Sequence, residues 1–197
     1  MSTTNLFVEL LVIGLGVFVW LMLLALAIIG VDQLALNDKV LFASALPVLA
    51  FTYVLGIVWD RIADKLFDRI WSDGLRRMHF QDKSSYYDAR RIILTRSPAL
   101  SALLEYGRSR LRICRAWTLN ALMMCIALNA FLFGGANNVA DPGLASAIGS
   151  SVTLALALGS WFAWNNLSQA EYRKVSEQGK YLAQLSETEQ VTPTAGR

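Results

Sequence analysis

Acidic and basic side chains recur at helical spacing in two stretches of the sequence, and the chemistry they could do is charge pairing between helices. The acidic set is Asp60, Asp64 and Asp68. The basic set is Arg108, Arg112 and Arg115. Residues three or four positions apart lie on one face of a helix, so each set forms a single stripe.

An antiparallel pairing of the two stripes predicts a ladder of ion pairs. The pairs that keep a constant register are Asp60 with Arg115, Asp64 with Arg112 and Asp68 with Arg108. Exposed ion pairs contribute only about 0–1 kcal/mol each, so the ladder would orient the helices more than stabilise them. Two alternatives stay open: the acids pair only with basic neighbours on their own helix, or the three carboxylates hold a cation.

Basic and aromatic residues are interleaved between positions 76 and 96, a mixture suited to binding anions. The candidate residues are Arg76, Arg77, His79, Lys83, Tyr86, Tyr87, Arg90, Arg91 and Arg96. The plainest interpretation is a surplus of charge on the cytoplasmic side of a membrane, with rings that only pack. Such residues also contact anionic lipid headgroups or a cytosolic partner. A nucleotide or nucleic acid, held by phosphate contacts and ring stacking, is the alternative that the sequence favours least.

The usual catalytic and cofactor motifs are missing from the sequence. His79 is the only histidine, which excludes a metal site made of two histidines. Cys114 and Cys125 form no CxxC motif, and the sequence contains no P-loop, GxGxxG or GxSxG. We expect a protein that is not an enzyme and that binds neither a metal nor a cofactor.

Four apolar segments must position these residues. They lack Asp, Glu, Lys and Arg and cover residues 10–29, 40–59, 116–133 and 144–164. Each is long enough to cross about 30 Å of hydrocarbon as a helix, the form that satisfies every backbone hydrogen bond in lipid. The sequence therefore predicts an all-α fold, a four-transmembrane-helix bundle whose second and third helices extend into a cytoplasmic helical stalk.

The basic residues predict the orientation of the bundle. Of the 18 lysines and arginines, all except Lys39 lie on the same side of the four segments. Positive charge marks the cytoplasmic side, so both termini are expected in the cytoplasm. We expect an integral protein of the bacterial inner (plasma) membrane, with the short loops 30–39 and 134–143 on the other side.

This topology divides the chain into four regions. Residues 1–59 hold the first two membrane helices, 60–115 the basic stalk, 116–166 the third and fourth membrane helices, and 167–197 a cytoplasmic helix with a disordered tail from Ser186. Gly74 is expected to end or bend the second helix after about Ser72. Asp82 or Ser84 would cap a short helix over 85–95, and Ser97 with Pro98 would start the next one.

A few polar and small residues near or within the apolar segments are candidates for helix packing or for lining a pore. They are Glu9, Gly149, Ser151, Ala155 and Gly159. Glu9 can lie at the headgroup level, or it can line a pore or pair with a basic residue. Small residues four apart allow helices to approach closely in lipid, within one chain or between subunits. Asn120 and Asn129 are expected to hydrogen-bond to neighbouring helices.

Two functions fit these features. The first is a non-enzymatic, homo-oligomeric scaffold or sensor that recruits a cytosolic partner or signal through its basic stalk. A bacterial defence module, such as antiviral defence, or a stress module is a setting that the residues allow but do not show. The alternative is an oligomeric ion channel or pore-forming membrane effector, with the fourth helix or Glu9 lining the path.

Overall fold

The computed structural model describes residues 3–30, 38–134 and 141–191, and these residues are helical apart from short connections. The helices are α1 (Thr3–Ile29), α2 (Asp38–Phe67), α3 (Asp73–Arg77), α4 (Lys83–Arg96), α5 (Pro98–Phe133) and α6 (Pro142–Val191). A π-helical turn, Asp68–Ser72, joins α2 to α3. The described residues include no strand, which confirms the all-α class.

Four of the helices, α1, α2, α5 and α6, are long and apolar enough to cross a membrane. Each contains one of the four uncharged segments of the sequence, as predicted. The principal contacts place these helices in the order α2–α1–α5–α6, with α1 between α2 and α5. The outer side of α6 is exposed along its apolar part, at Ile148, Val152 and Leu158. The loops predicted at 30–39 and 134–143 lie largely outside the described residues.

Two glycines let α1 and α2 approach each other backbone to backbone. A Cβ atom at Gly14 would collide with the carbonyl of Thr52, and a Cβ atom at Gly56 would collide with the carbonyl of Leu10. Without a hydrophobic driving force between helices in lipid, such close van der Waals packing is a main source of their association. The α1–α2 contact therefore depends on residues without a side chain.

Two asparagines of α5 link it to its neighbours, as the sequence predicted. Asn120 is fully buried, and its Nδ2 donates to the carbonyl of Ile13 in α1 at 3.0 Å. Asn129 Nδ2 donates to Ser150 Oγ in α6 at 2.9 Å. A polar group in an apolar layer is costly unless it is hydrogen-bonded, so these amides fix how the three helices are aligned.

The helix that begins as α2 continues past its apolar part to Arg77, and the prediction of a break at Gly74 is wrong. Gly74 lies inside α3, where nothing comes within 4 Å of a Cβ built on it. Glycine costs a helix only about 1 kcal/mol relative to alanine, which the flanking helical residues tolerate here. The irregularity is instead the π-helical turn, where Ser72 Oγ donates to the carbonyl of Phe67 at 3.3 Å.

Beyond the apolar segments the chain forms a polar half, made of residues 60–115 and 165–191. A hydrophobic core of its own holds α4 against α5 and α6 through Phe80, Ile93, Leu104 and Val175. Ser97 caps α5 by accepting a hydrogen bond from the Leu100 amide at 3.4 Å, as predicted. The short helix α4 begins after Asp82, one of the two predicted cap positions, but the Asp82 side chain makes no capping hydrogen bond.

The C-terminal helix is longer than the sequence indicated. We predicted a helix to Leu185 and disorder from Ser186, but α6 runs without a break from Pro142 to Val191. The polar residues after Leu185 are good helix formers, including Glu187, Glu189 and Gln190, so they can continue a helix that is already nucleated. Residues 192–197 lie outside the described residues.

Candidate functional site

An ionic cluster joins α2 to α5 where their apolar parts end. Arg115 donates to Asp60, with 3.0 Å between Nη2 and Oδ1, and also to Asp64. Arg112 Nε lies 3.9 Å from the second oxygen of Asp60. The Asp60 side chain is only 5% exposed, whereas that of Asp64 is 49% exposed. Arg115 therefore neutralises one buried and one accessible carboxylate.

The structure corrects the predicted ladder. The Asp60–Arg115 pair is present, but Asp64 bonds to Arg115 instead of Arg112, and within the described residues Asp68 and Arg108 form no ion pair. The stripe is interrupted because α2 changes to a π-helical turn at Asp68. Phe67, just before this turn, packs on Trp164 of α6, with ring centroids 4.7 Å apart.

The alternative of a cation held by the three carboxylates receives no support from this arrangement. Two arginines already compensate Asp60 and Asp64, and the small adjoining cavity of about 120 Å³ is lined by arginines as well as by these acids. The described part of the chain brings together no group of three or more acidic, histidine or cysteine residues that could hold a metal ion.

A second polar site, which we call the arginine cleft, lies between α4, α5 and α6. Its volume is about 110 Å³. The residues that line it are Tyr86 and Arg90 of α4, Leu104, Arg108 and Leu111 of α5, and Ser168, Glu171, Tyr172 and Val175 of α6. Leu104 and Val175 also belong to the core of the polar half, so the floor of the cleft is the surface on which α4 is fixed.

The arginine cleft concentrates positive charge from two helices. Partial burial and the neighbouring charge of Arg90 lower the pKa of Arg108. Burial raises the pKa of Glu171, an effect opposed by Lys174, Arg108 and Arg90. Among the described residues no carboxylate lies within ion-pair distance of Arg90 or Arg108.

Aromatic hydroxyls complete the wall of the arginine cleft. Tyr86 and Tyr172 pack edge to face, with ring centroids 5.5 Å apart, and place two phenols beside the arginines. Burial, followed by the proximity of Tyr86, raises the pKa of Tyr172 to about 12. Like any tyrosine, Tyr172 is protonated at neutral pH, so its hydroxyl is a potential hydrogen-bond donor.

The structure divides the nine anion-binding candidates among several places. Only Tyr86 and Arg90 line the arginine cleft. Arg76 pairs with Asp73 on its own helix, and His79 borders a different cavity, of about 490 Å³, between α4 and α6. The exposed members are Arg77, Tyr87, Arg91 and Arg96. The side chain of Lys83 lies outside the described residues.

Sequence reasoning missed the contribution of α6 to the arginine cleft. Ser168, Glu171 and Tyr172 lie seven, four and three positions before Val175, so they share the face that the buried valine turns to the core. That periodicity was the available signal. Arg108 was assigned to the ladder; it is exposed and lines both the arginine cleft and the cavity beside the ionic cluster.

The helix-packing candidates have different surroundings. Glu9 is buried and accepts a hydrogen bond from Ser109, six positions before Arg115 in α5, so it lies about 9 Å beyond the ionic cluster on the side of the polar half. Gly149 packs against Leu128. The remaining three candidates, Ser151, Ala155 and Gly159, are exposed on α6.

Comparison of the chain with protein-family models, curated proteins and solved structures finds no match. The ionic cluster, the arginine cleft and the exposed surfaces are therefore the features that bear on its function.

Proposed function

We propose that the chain is an integral protein of the bacterial inner membrane, arranged as a four-helix membrane bundle with a cytoplasmic helical stalk and both termini in the cytoplasm. Four membrane-length helices and the basic character of the polar half support this orientation. The ionic cluster lies where the apolar segments of α2 and α5 end, at the level expected for the headgroups.

Within this topology we propose a non-enzymatic scaffold or sensor that recruits an acidic cytosolic protein through the outer face of α4. The observation that carries the proposal is that α4 is fixed on a hydrophobic core while its outer face is open. Tyr87 is 51% exposed and Leu94 44% exposed, and Arg91 lies between them. Tyrosine and arginine are enriched at protein interfaces, and a basic face favours an acidic partner.

Affinity purification of the tagged full-length protein from its native membranes tests this proposal. Arg91→Glu reverses the charge of the proposed face, and Arg173→Glu makes the same change at an exposed position of α6. We expect one acidic protein to co-purify with the wild type and with Arg173→Glu but not with Arg91→Glu. Equal recovery from both variants would contradict the proposed face.

We propose further that the protein forms a homo-oligomer. The second candidate function is a pore formed by this oligomer. The observation in favour is the exposed face of α6 that carries Ser151, Ala155 and Gly159, where no atom lies within 4 Å of a Cβ built on Gly159. Such faces pack closely in lipid. Native mass spectrometry measures the oligomer, and Gly159→Leu should dissociate it; planar-bilayer recording of the purified oligomer decides whether it conducts ions.

A further inference from the structure

The arginine cleft has the chemical character of an anion site. Two guanidinium groups from different helices, Arg90 of α4 and Arg108 of α5, line one small cavity. The two like charges repel each other, and Glu171, the one carboxylate of the lining, offsets them only in part, so an added anion would relieve an unfavourable interaction. Arginine presents planar, forked donors that match the oxygens of a phosphate group, and the cleft adds the phenols of Tyr86 and Tyr172 as hydrogen-bond donors.

We propose that the arginine cleft binds a phosphate group, carried either by inorganic phosphate or by the headgroup of a phosphomonoester lipid. The site is independent of the proposed partner face, because Arg90 and Arg108 line the cleft, whereas Tyr87 and Arg91 are exposed on α4 and do not line it. Failure of one proposal leaves the other standing.

The size of the arginine cleft limits which ligands it can enclose. Its volume is about 110 Å³, well below the roughly 300–1,000 Å³ of sites that enclose a drug-sized molecule. A phosphate group fits such a space, whereas a nucleotide with its base and sugar does not. Arg108 lies seven positions before Arg115, so the cleft is about 10 Å beyond the ionic cluster along α5.

Glu171 is the one carboxylate that lines the arginine cleft, and its replacement is expected to raise the affinity for an anion. Its charge opposes an incoming anion, and the raised pKa that burial gives it shows how poorly the cleft solvates that charge. Glu171→Gln keeps the shape of the side chain and removes the charge. We therefore expect Glu171→Gln to bind phosphate more tightly than the wild type, a gain that damage to the fold would not produce.

Isothermal titration of inorganic phosphate into the full-length protein in phosphatidylcholine nanodiscs tests the site. Arg90→Gln and Arg108→Gln should each weaken binding about tenfold or more, because each removes charged hydrogen bonds. Arg110→Gln is the matched control, since Arg110 is exposed like Arg108 and lies on the same helix, but it packs against the Tyr106 ring and does not line the cleft. Arg108→Lys, which keeps the charge but loses the fork, should bind with intermediate affinity.

Nanodiscs that contain phosphatidic acid separate the two sources of the phosphate. If the lipid headgroup occupies the cleft, phosphatidic acid prevents phosphate binding, and Arg108→Gln loses the lipid in native mass spectrometry. If phosphatidic acid has no effect while phosphate binding still depends on Arg90 and Arg108, the ligand is the soluble anion. The proposal would be overturned if neither inorganic phosphate nor phosphatidic acid binds. It would also be overturned if Arg90→Gln, Arg108→Gln and Glu171→Gln leave the binding unchanged.

Discussion

Replacing Arg115 with glutamine should lower the free energy of unfolding by about 3 kcal/mol, because it leaves Asp60 buried without its main partner. Breaking a buried ion pair costs about 3–5 kcal/mol when the other charge stays behind. The Asp60 side chain is 5% exposed, which places it in this class. Arg112 remains 3.9 Å away and compensates part of the charge, so the lower end of the range applies.

Two companion variants separate the contributions of the two acids. Asp64→Asn should cost no more than about 1 kcal/mol, because the Asp64 side chain is 49% exposed and water replaces the ion pair. Asp60→Asn combined with Arg115→Gln should recover most of the loss, because no buried charge then lacks a partner. A coupling energy of this kind is measured directly by the double-mutant cycle.

Equilibrium unfolding in mixed detergent micelles, followed by tryptophan fluorescence, measures these differences. Trp59 is a suitable reporter, since it lies next to Asp60 and its Nε1 donates to the carbonyl of Ala116 at 3.4 Å. A loss of about 3 kcal/mol changes the unfolding equilibrium about a hundredfold. Two results would contradict a buried ion pair between Asp60 and Arg115. One is a loss of unfolding free energy in Arg115→Gln no larger than in Asp64→Asn, and the other is a double variant less stable than Arg115→Gln alone.

Three further predictions concern other contacts. Asn120→Ala should destabilise the protein by about 1–3 kcal/mol in the same assay, because it removes two interhelical hydrogen bonds. Gly14→Ala should also cost about 1–3 kcal/mol by overpacking α1 against α2, whereas Gly74→Ala, made in open space, should be neutral or stabilise by up to about 1 kcal/mol. The raised pKa of Tyr172, about 12 against an ordinary 10.0, means that the unfolded chain loses this proton first, so stability should fall between those pH values. An alkaline denaturation series should show less of this loss in Tyr172→Phe and an unchanged loss in Tyr181→Phe, which alters an exposed tyrosine.

The four long apolar helices were predictable because composition alone determines them. Uncharged segments of about 20 residues have one stable form in lipid, and α1, α2, α5 and α6 each contain one. The start of α5 was equally clear, since a serine followed by proline satisfies the first backbone amides of a helix. These features follow from local sequence and need no knowledge of neighbouring helices.

The sites were predictable only in part, because their members depend on which faces of the packed helices meet. The sequence placed Asp60 and Arg115 at one level, but it could not show the π-helical turn that removes Asp68 from the stripe. It also could not show that α6 brings Glu171 and Tyr172 to Arg108, since that contact depends on the packing of a distant helix. Side-chain types suggested anion contact as one alternative for residues 76–96, and the tertiary contacts place only Tyr86 and Arg90 of those candidates in the arginine cleft.

The proposed function requires the basic polar half to lie in the cytoplasm. Labelling of single cysteines from either side of the membrane measures this orientation directly. A membrane-impermeant maleimide is applied to intact spheroplasts and to inverted membrane vesicles, in a background where Cys114 and Cys125 are replaced by serine. Arg91→Cys should be labelled only in inverted vesicles, and Asn137→Cys, in the second short loop of the sequence, only in spheroplasts. Labelling of Arg91→Cys from outside intact spheroplasts would contradict the orientation and, with it, the proposed recruitment of a cytosolic partner.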